Sequence, residues 1–243
     1  MAAWGAAICF GLNGLSFIAV IIALYMIRTP PVESTEVKTG MIGEMKAGFH
    51  FVFTRRTLLL LTFLAFAGTF LGMPIVTFMP VVAKSIFRLD ATGYAWMMAM
   101  YGVGSVAGAL FVAASAQMAK KGRVALLLQL SFACLMVGFA VSRSLPLSLI
   151  IAFFAGACIV GVISLYSSLV QLTTTDAMRG RVMSIFMLAF RGGMPLGNLI
   201  AGYVAERWSI TVALAINGTI LLIVALVYVL KDTNLDETDE VTA

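Results

Sequence analysis

Long apolar segments separated by short polar stretches run through almost the whole chain. Seven of them carry little or no charge, and at ~1.5 Å per residue each is long enough to cross the hydrocarbon core of a bilayer as a helix. They are approximately residues 4–27, 58–82, 94–117, 124–141, 146–170, 182–205 and 210–230. The pattern predicts an all-α membrane protein with seven transmembrane helices, one helix followed by a six-helix bundle.

Residues 41–53 have a different pattern. Apolar side chains recur there at helical spacing, whereas Glu44 and Lys46 fall on the opposite side. The apolar positions are Met41, Ile42, Met45, Phe49, Val52 and Phe53. This spacing predicts an amphipathic helix that lies on the membrane surface, after a polar linker at residues 32–40.

Composition excludes a soluble domain. The chain is 61% hydrophobic and 11% charged, whereas globular chains are about 45–50% apolar and about 25% charged. The net charge of +5 is spread over short loops, so no nucleic-acid partner is predicted. The 3 cysteines lie inside apolar runs without metal-ligand spacing, and neither a metal nor a cofactor is predicted.

The distribution of basic residues between the loops predicts the orientation. If the loop after the first span is cytoplasmic, that side carries eleven basic residues and the other side carries four. The eleven are Arg28, Lys38, Lys46, Arg55, Arg56, Lys120, Lys121, Arg123, Arg179, Arg181 and Lys231, and the four are Lys84, Arg88, Arg143 and Arg207. We therefore expect a multi-pass protein of the cell (inner) membrane, with its N-terminus outside and its C-terminus in the cytoplasm.

Several short stretches, in order and at matching spacing, resemble those of a known family. They are residues 12–17, 44–49, 79–83, 93–110, 179–184 and 195–197. The whole chain resembles the second half of a major facilitator superfamily transporter, from its sixth helix to its twelfth. The resemblance is strongest to the bacterial branch that contains the enterobactin exporter and related drug-efflux proteins.

This resemblance implies a domain organisation. Residues 1–28 would be the sixth helix of the family and residues 29–56 the central cytoplasmic linker with its amphipathic surface helix. Residues 57–231 would be a six-helix bundle of two inverted three-helix repeats. The polar, acidic residues 232–243 are predicted to be a disordered cytoplasmic tail. An N-terminal transporter half, missing or separately encoded, is the implied partner, together with the lipid bilayer and a small-molecule substrate.

Two pairs of small residues occupy corresponding places in the two proposed repeats. Gly104 and Gly108 are four residues apart in the third span, and Gly193 and Gly197 are four apart in the sixth. Such pairs let helix backbones approach closely in a membrane. We expect both pairs to lie at helix-packing interfaces.

Arg191 is the one charged residue well inside a predicted span. An arginine at that depth must face protein or water, so it is a candidate substrate or gating residue that attracts an anion or pairs with a carboxylate. The alternative is that it caps carbonyls near Pro195 or reaches towards one membrane face. The resemblance places the helices of Tyr101, Tyr166 and Asn198 beside a central cavity, which makes these residues further candidates.

Asp176, Arg179 and Arg181 form a charged hinge before the sixth span. They predict a cytoplasmic gate whose ion pairs form in one state and break in another, although topology determination and helix capping would also account for them. The family pattern has an acid in the turn after the third span, but residues 116–123 contain none. This absence puts a gate at that turn in doubt and favours Asp176 with Arg179 and Arg181.

These features predict the C-terminal half of a secondary active transporter that exports small amphiphilic molecules by alternating access. Such a half would be inactive without an N-terminal bundle. Two alternatives are a half-size protein that acts as a homodimer or with a separate N-terminal half, and a non-transporting relic. None of the 11 acidic residues lies inside a predicted span and the chain has 1 histidine, so no enzyme activity is predicted.

Overall fold

The structure, a computed structural model, describes residues 5–26, 41–114, 120–231 and 235. These residues form nine helices and no strand. The helices are α1 Gly5–Met26, α2 Met41–Thr54, α3 Arg56–Gly72, α4 Pro74–Ser85, α5 Ala91–Ala114, α6 Lys121–Val141, α7 Leu145–Leu172, α8 Asp176–Arg207 and α9 Ile210–Leu230. The predicted all-α membrane fold is confirmed.

Among the described residues, six helical segments are long and apolar enough to cross a membrane. They are Arg56–Ser85, Ala91–Ala114, Lys121–Val141, Leu145–Leu172, Asp176–Arg207 and Ile210–Leu230. The helix α1 contains a shorter apolar stretch, Phe10–Met26, and belongs to a separate unit, Met1–Thr39. A seventh span at α1 stays a prediction, and the predicted polar linker at residues 32–40 lies outside the described residues.

The first span of the bundle is broken in its middle. The helix α3 ends before Pro74, which has no backbone N–H to continue the hydrogen-bond ladder, and α4 begins at that proline. The amides of Val76 and Thr77 donate to the Met73 carbonyl at 3.1 and 3.3 Å. One span thus consists of two helices with a joint at Met73.

Two hydrophobic clusters fill opposite ends of the bundle. One cluster includes Met79 of α4 and Met97 near the start of α5. The other includes Leu58 at the start of α3, Leu126 of α6 and Leu169 near the end of α7. Because successive spans begin at alternating clusters, the chain crosses the bundle back and forth from α3 to α9.

The amphipathic helix α2 packs on the second cluster. Val52 is buried there, and Gly48 lies against α8, where a Cβ at Gly48 would be 3.0 Å from Ile185 Cδ1 and 3.2 Å from Arg181 Cβ. The missing side chain at Gly48 lets the two helices approach closely. The helix predicted for the surface of the membrane is therefore also a packed part of the bundle.

One further expectation differs from the structure, and another stays a prediction. Asp176, Arg179 and Arg181 do not form a hinge outside the span but the first two turns of α8. An acidic residue at the first helical position favours helix formation through the helix dipole. Within the predicted disordered tail, Leu235 is buried with the second cluster, and the rest of that tail lies outside the described residues.

Candidate functional site

Arg191 lies at the middle of α8, as the sixteenth of its 32 residues. It is the only charged residue of α8 between Arg181 and Glu206. At 1.5 Å per residue these neighbours are about 15 and about 22 Å away along the helix. Either distance exceeds the reach of an arginine side chain, so Arg191 is placed far from both polar ends of the helix.

The guanidinium of Arg191 points away from the packed side of α8. Gly193 follows two positions later, roughly 200° around the helix, and is buried against α3, whereas Arg191 is exposed. Within the described parts of the chain, Arg191 has no hydrogen-bond or ion-pair partner. A charge at the centre of a span is costly in lipid, which favours protein or water on this side of α8.

Asn198 shares the face of Arg191. Seven residues separate them, which is close to two full turns, or about 10 Å along the axis. The Oδ1 atom of Asn198 is buried and has no hydrogen-bond partner in the described structure. A buried acceptor without a partner costs free energy. The same face of α8 thus carries an unpaired cation and an unpaired acceptor.

Apolar side chains surround Arg191 on the helix surface. Met187, Leu188 and Met194 are its neighbours at four residues before, three before and three after, and all are exposed. Methionine is flexible and adapts to differently shaped apolar partners. The arrangement, a cation set among adaptable apolar groups, can bind a molecule with an anionic group and an apolar body.

Tyr166 lies in the core of the bundle. It is 0% exposed, and its hydroxyl donates a hydrogen bond to Oε1 of Gln129 on α6. The Nε2 of Gln129 donates in turn to the carbonyl of Leu64 on α3 at 3.3 Å. In this conformation Tyr166 therefore connects three helices, and its predicted substrate role stays a prediction without geometric support here.

Tyr101 occupies the interface between α5 and α7. It is half-buried, and its carbonyl accepts a hydrogen bond from Ser105 Oγ at 2.9 Å. A Cβ at Gly156 of α7 would overlap that same carbonyl. The backbone of Tyr101 is thus part of a tight helix contact, and its role towards a substrate stays a prediction.

Gly104 and Gly108 form a seam between α5 and α7. A Cβ at Gly104 would overlap the carbonyl of Phe153, and one at Gly108 would overlap that of Ala157. Both sides of the contact advance by four residues together, so the two helices run in the same direction. We call this contact the first seam.

Gly193 and Gly197 form a second seam of the same kind between α8 and α3. A Cβ at Gly193 would overlap Thr69 Oγ1 and lie 3.0 Å from the carbonyl oxygen of Phe66, and one at Gly197 would overlap the carbonyl of Phe70. These helices also run parallel. If residues 57–231 are two three-helix repeats, as predicted, the first seam joins the second helix of the first repeat to the first helix of the second repeat. The second seam joins the same positions with the repeats exchanged. This is the relation that two inverted repeats produce.

The spans formed by α5 and α8, which carry the seam glycines Gly104, Gly108, Gly193 and Gly197, are the least buried of the bundle. In their most apolar windows, 17% of α5 and 28% of α8 is buried, against 56% of Arg56–Ser85. Each of these helices is fixed on one side by a seam and exposed on the other. The exposed sides of α5 and α8 are thus the surfaces available to a further partner.

The predicted gate residues lie at the junction of α8 with α2. Arg179 Nη2 is 2.7 Å from Asp176 Oδ1, within one helix turn, and Arg181 Nη2 is 4.0 Å from Glu44 Oε1 of α2. A pocket of about 230 Å³ lies here, lined by Glu44, Met45, Arg181, Ser184 and Ile185. Arg181 therefore links α8 to the helix that precedes the bundle, a partner that the spacing of the charges did not reveal.

The fold defines a class, the multi-pass helical membrane proteins. The chain belongs to the family described as MFS_3, transmembrane secretion effector, whose model matches residues 1–243. A comparison with curated proteins found no match. The predicted transporter family is confirmed. The enterobactin-exporter branch, the C-terminal half, the cell membrane and the orientation of the termini stay predictions.

Proposed function

We propose that this chain forms one bundle of a secondary transporter that exports small amphiphilic anions by alternating access. The observation that carries the proposal is the position of Arg191 at the middle of α8, exposed and without a partner in the described structure. A bundle with such a residue needs water or protein on that side. The proposal puts the translocation path there.

The exposed sides of α5 and α8 face a second bundle in this proposal. The resemblance implies that this bundle is an N-terminal transporter half, and alternating access needs two bundles that rock about a site near the midplane. The parallel seams support it, because each holds its helix firmly to its own bundle and leaves the other side free. The path then runs between the two bundles.

Arg191 binds the anionic group of the substrate. About two turns away, the Oδ1 of Asn198 accepts a hydrogen bond from an N–H or O–H group of the same substrate when the substrate binds. The flanking methionines contact the apolar body. In the described residues, the carboxylates of α8 nearest to Arg191 are Asp176 and Glu206, each 15 residues away. Neither can neutralise the arginine, so the substrate or the second bundle supplies the countercharge.

The gate is the contact of α2 with the start of α8. The pair of Arg181 and Glu44 is long at 4.0 Å and partly exposed, so it opens at little cost in free energy. In the proposal it forms when this end of the path is closed and breaks when the path opens. The ion pair of Asp176 with Arg179 stabilises the first turn of α8, which then moves as one piece.

Transport of 8-anilinonaphthalene-1-sulfonate, an amphiphilic anion, by membrane vesicles that contain the assembled transporter tests this proposal. We expect Arg191→Gln to lower the transport rate by about 10- to 100-fold, the loss of one charge-assisted hydrogen bond. Arg191→Lys should retain part of the rate. The matched control is Arg207→Gln, at the exposed end of the same helix, which should leave the rate unchanged.

Two results would contradict the proposal. One is wild-type protein that does not transport this anion, which would remove the anionic substrate class. The other is an Arg191→Gln protein that reaches the membrane and transports at the wild-type rate, which would remove Arg191 from the path.

A further inference from the structure

An apolar groove lies where α5 and α6 both pack against α7. It has a volume of about 290 Å³. Its lining comes from all three helices and includes Ala107, Gly108, Phe111, Leu128, Phe154 and Ala157. Pockets for drug-sized ligands measure roughly 300–1,000 Å³. The groove is therefore at the lower limit for such ligands, and its size suits a single slender apolar group.

The groove is formed by tightly packed helices. Gly108 contacts the backbone of α7 and has no side chain to fill the space. Phe111 of α5 and Phe154 of α7 border the groove and are 48% and 51% exposed. At one end Leu128 lies over Gly161, where a Cβ would be 2.9 Å from Leu128 Cδ1. The groove thus exists before anything binds, and it is open to the surroundings of the bundle.

The groove does not lie on the side of α5 that is proposed to face a second bundle. That side carries Val106 and Leu110, opposite the first seam. Ala107 and Phe111 follow these two residues directly, and one residue turns a helix by about 100°. The groove is therefore a little more than a quarter-turn away. An exposed apolar surface of a membrane span is as compatible with lipid tails as with leucine side chains, so this groove is open to acyl chains.

Two lysines are placed in line with the groove. Lys121 is the first residue of α6, and Leu128 follows seven residues later, close to two full turns. These two residues therefore share one face of α6 and are about 10 Å apart along its axis. Lys120 precedes Lys121 directly. Among the residues that the structure describes, neither ammonium group has a hydrogen-bond or ion-pair partner. Both cations are available to an anion outside the protein.

The spacing of the lysines and the groove matches one leaflet of a bilayer. With its headgroups a bilayer is about 40–45 Å thick, so a headgroup is about 20 Å from the midplane. Leu128 is about 10 Å from Lys121, and Phe154 is seven residues, about another 10 Å, beyond Gly161. The groove thus extends from about 10 to about 20 Å from the lysines. This is the depth of the lower acyl chain of a lipid whose headgroup lies at Lys121.

We propose that the groove holds one acyl chain of an anionic phospholipid, and that Lys120 and Lys121 bind the phosphate of its headgroup. Basic residues beside grooves between spans are a recurrent arrangement for anionic headgroups. The groove positions the lipid, and the lysines select its charge. This inference rests on the membrane-spanning fold and does not depend on the proposed substrate.

Quenching of tryptophan fluorescence by brominated lipids tests the site in the full chain. The 3 tryptophans are removed as Trp4→Phe, Trp96→Phe and Trp208→Phe. One is then introduced as Phe111→Trp at the groove, or as Ile220→Trp at an exposed position in the middle of α9. In phosphatidylcholine vesicles that contain brominated phosphatidylglycerol, we expect phosphatidylglycerol to be preferred by about fivefold or more at Phe111→Trp and by less than about twofold at Ile220→Trp. Equal preference at the two positions would overturn the proposal.

The lysines are tested by a second set of substitutions. Lys120→Gln together with Lys121→Gln should lower the preference at Phe111→Trp to the value at Ile220→Trp. The matched control is Lys231→Gln, at the end of α9, which should leave the preference unchanged. An unchanged preference in the double variant would remove the lysines from the site.

Filling the groove tests the place of the acyl chain. Ala107→Phe puts a ring into the groove and should lower the preference at Phe111→Trp by about twofold or more, because the ring takes over the contacts of the chain. Ala99→Phe, at an exposed position about two turns earlier on α5, is the control and should have no effect. A preference that Ala107→Phe does not lower would overturn the groove as the binding site of the chain.

A salt series needs no substitution at the lysines. Raising the ionic strength from about 0.1 to about 1 M shortens the screening length from about 10 to about 3 Å and should lower the preference at Phe111→Trp towards that at Ile220→Trp. A preference independent of salt would contradict binding through the two lysines.

Discussion

The first and second seams pack in the same way, but the exposed sides of α5 and α8 opposite these seams carry different side chains. In both, two glycines four residues apart meet the backbone of a parallel helix. Opposite the first seam, α5 presents the exposed apolar side chains of Val106 and Leu110. Opposite the second, α8 presents Arg191 and Asn198. The packing contact is therefore common to both seams, whereas the proposed binding chemistry lies opposite the second seam only.

The largest expected effect comes from filling either seam. Gly104→Leu and Gly197→Leu each place a side chain on a backbone carbonyl of the facing helix. A backbone carbonyl cannot rotate away as a side chain can, so we expect the free energy of unfolding to fall by about 3 kcal/mol or more. The measurement is the thermal unfolding temperature of the purified protein in nanodiscs. Gly102→Leu and Gly192→Leu are matched controls with open space around them and should change it little.

If a leucine lowers the unfolding temperature at only one seam, the two contacts are not equivalent, and the comparison between the seams fails. Equal sensitivity of the controls and the seam variants would show that leucine is poorly tolerated at any glycine of these helices, which would also remove the special role of the seams.

A smaller loss is expected in the core network. Tyr166→Phe removes the donor to Gln129 and leaves a buried amide oxygen without a partner, which costs about 1–3 kcal/mol. Tyr203→Phe, at an exposed position of α8, is the control and should be neutral. The thermal unfolding temperatures of the two variant proteins show this difference. A Tyr166→Phe protein as stable as wild type, with reduced transport, would favour the substrate role predicted from the sequence over the bracing role.

The smallest effect on stability is expected at the gate. Glu44→Gln removes a partly exposed pair 4.0 Å long, worth no more than about 1 kcal/mol and less at high salt. Transport should change more than stability, because the pair is proposed to form in one state only. The control is Glu206→Gln at the other end of α8. A fall in stability well beyond this limit would make the pair structural rather than a gate.

Hydropathy was sufficient to locate the six spans of the bundle, because burial in hydrocarbon demands long uncharged segments. It did not show where the helices end. The helix α8 begins at Asp176, six residues before the predicted span, since helices continue through the polar boundary where charge is tolerated. The break at Pro74 inside the first span of the bundle follows from a missing amide, which the apolar pattern does not record.

The candidate site was predictable where one residue is chemically out of place. Arg191 is such a residue, because a charge inside an apolar run is visible in the sequence alone. The partners of other residues were not predictable. Gln129 lies 37 positions from Tyr166, and Glu44 is separated from Arg181 by most of the bundle. Nor does the acidic composition around Leu235 show that this leucine is buried, since the space for it at Gly122 is formed by the fold.

The most direct test of the account is the environment of position 191. In a background without Cys9, Cys134 and Cys158, Arg191→Cys in the assembled transporter should react with a water-soluble thiosulfonate reagent, and 8-anilinonaphthalene-1-sulfonate should slow the reaction. Ile223→Cys, an exposed apolar position of α9, should stay unreactive. If Arg191→Cys is as unreactive as Ile223→Cys, that side of α8 faces lipid, and the proposed path along it is contradicted.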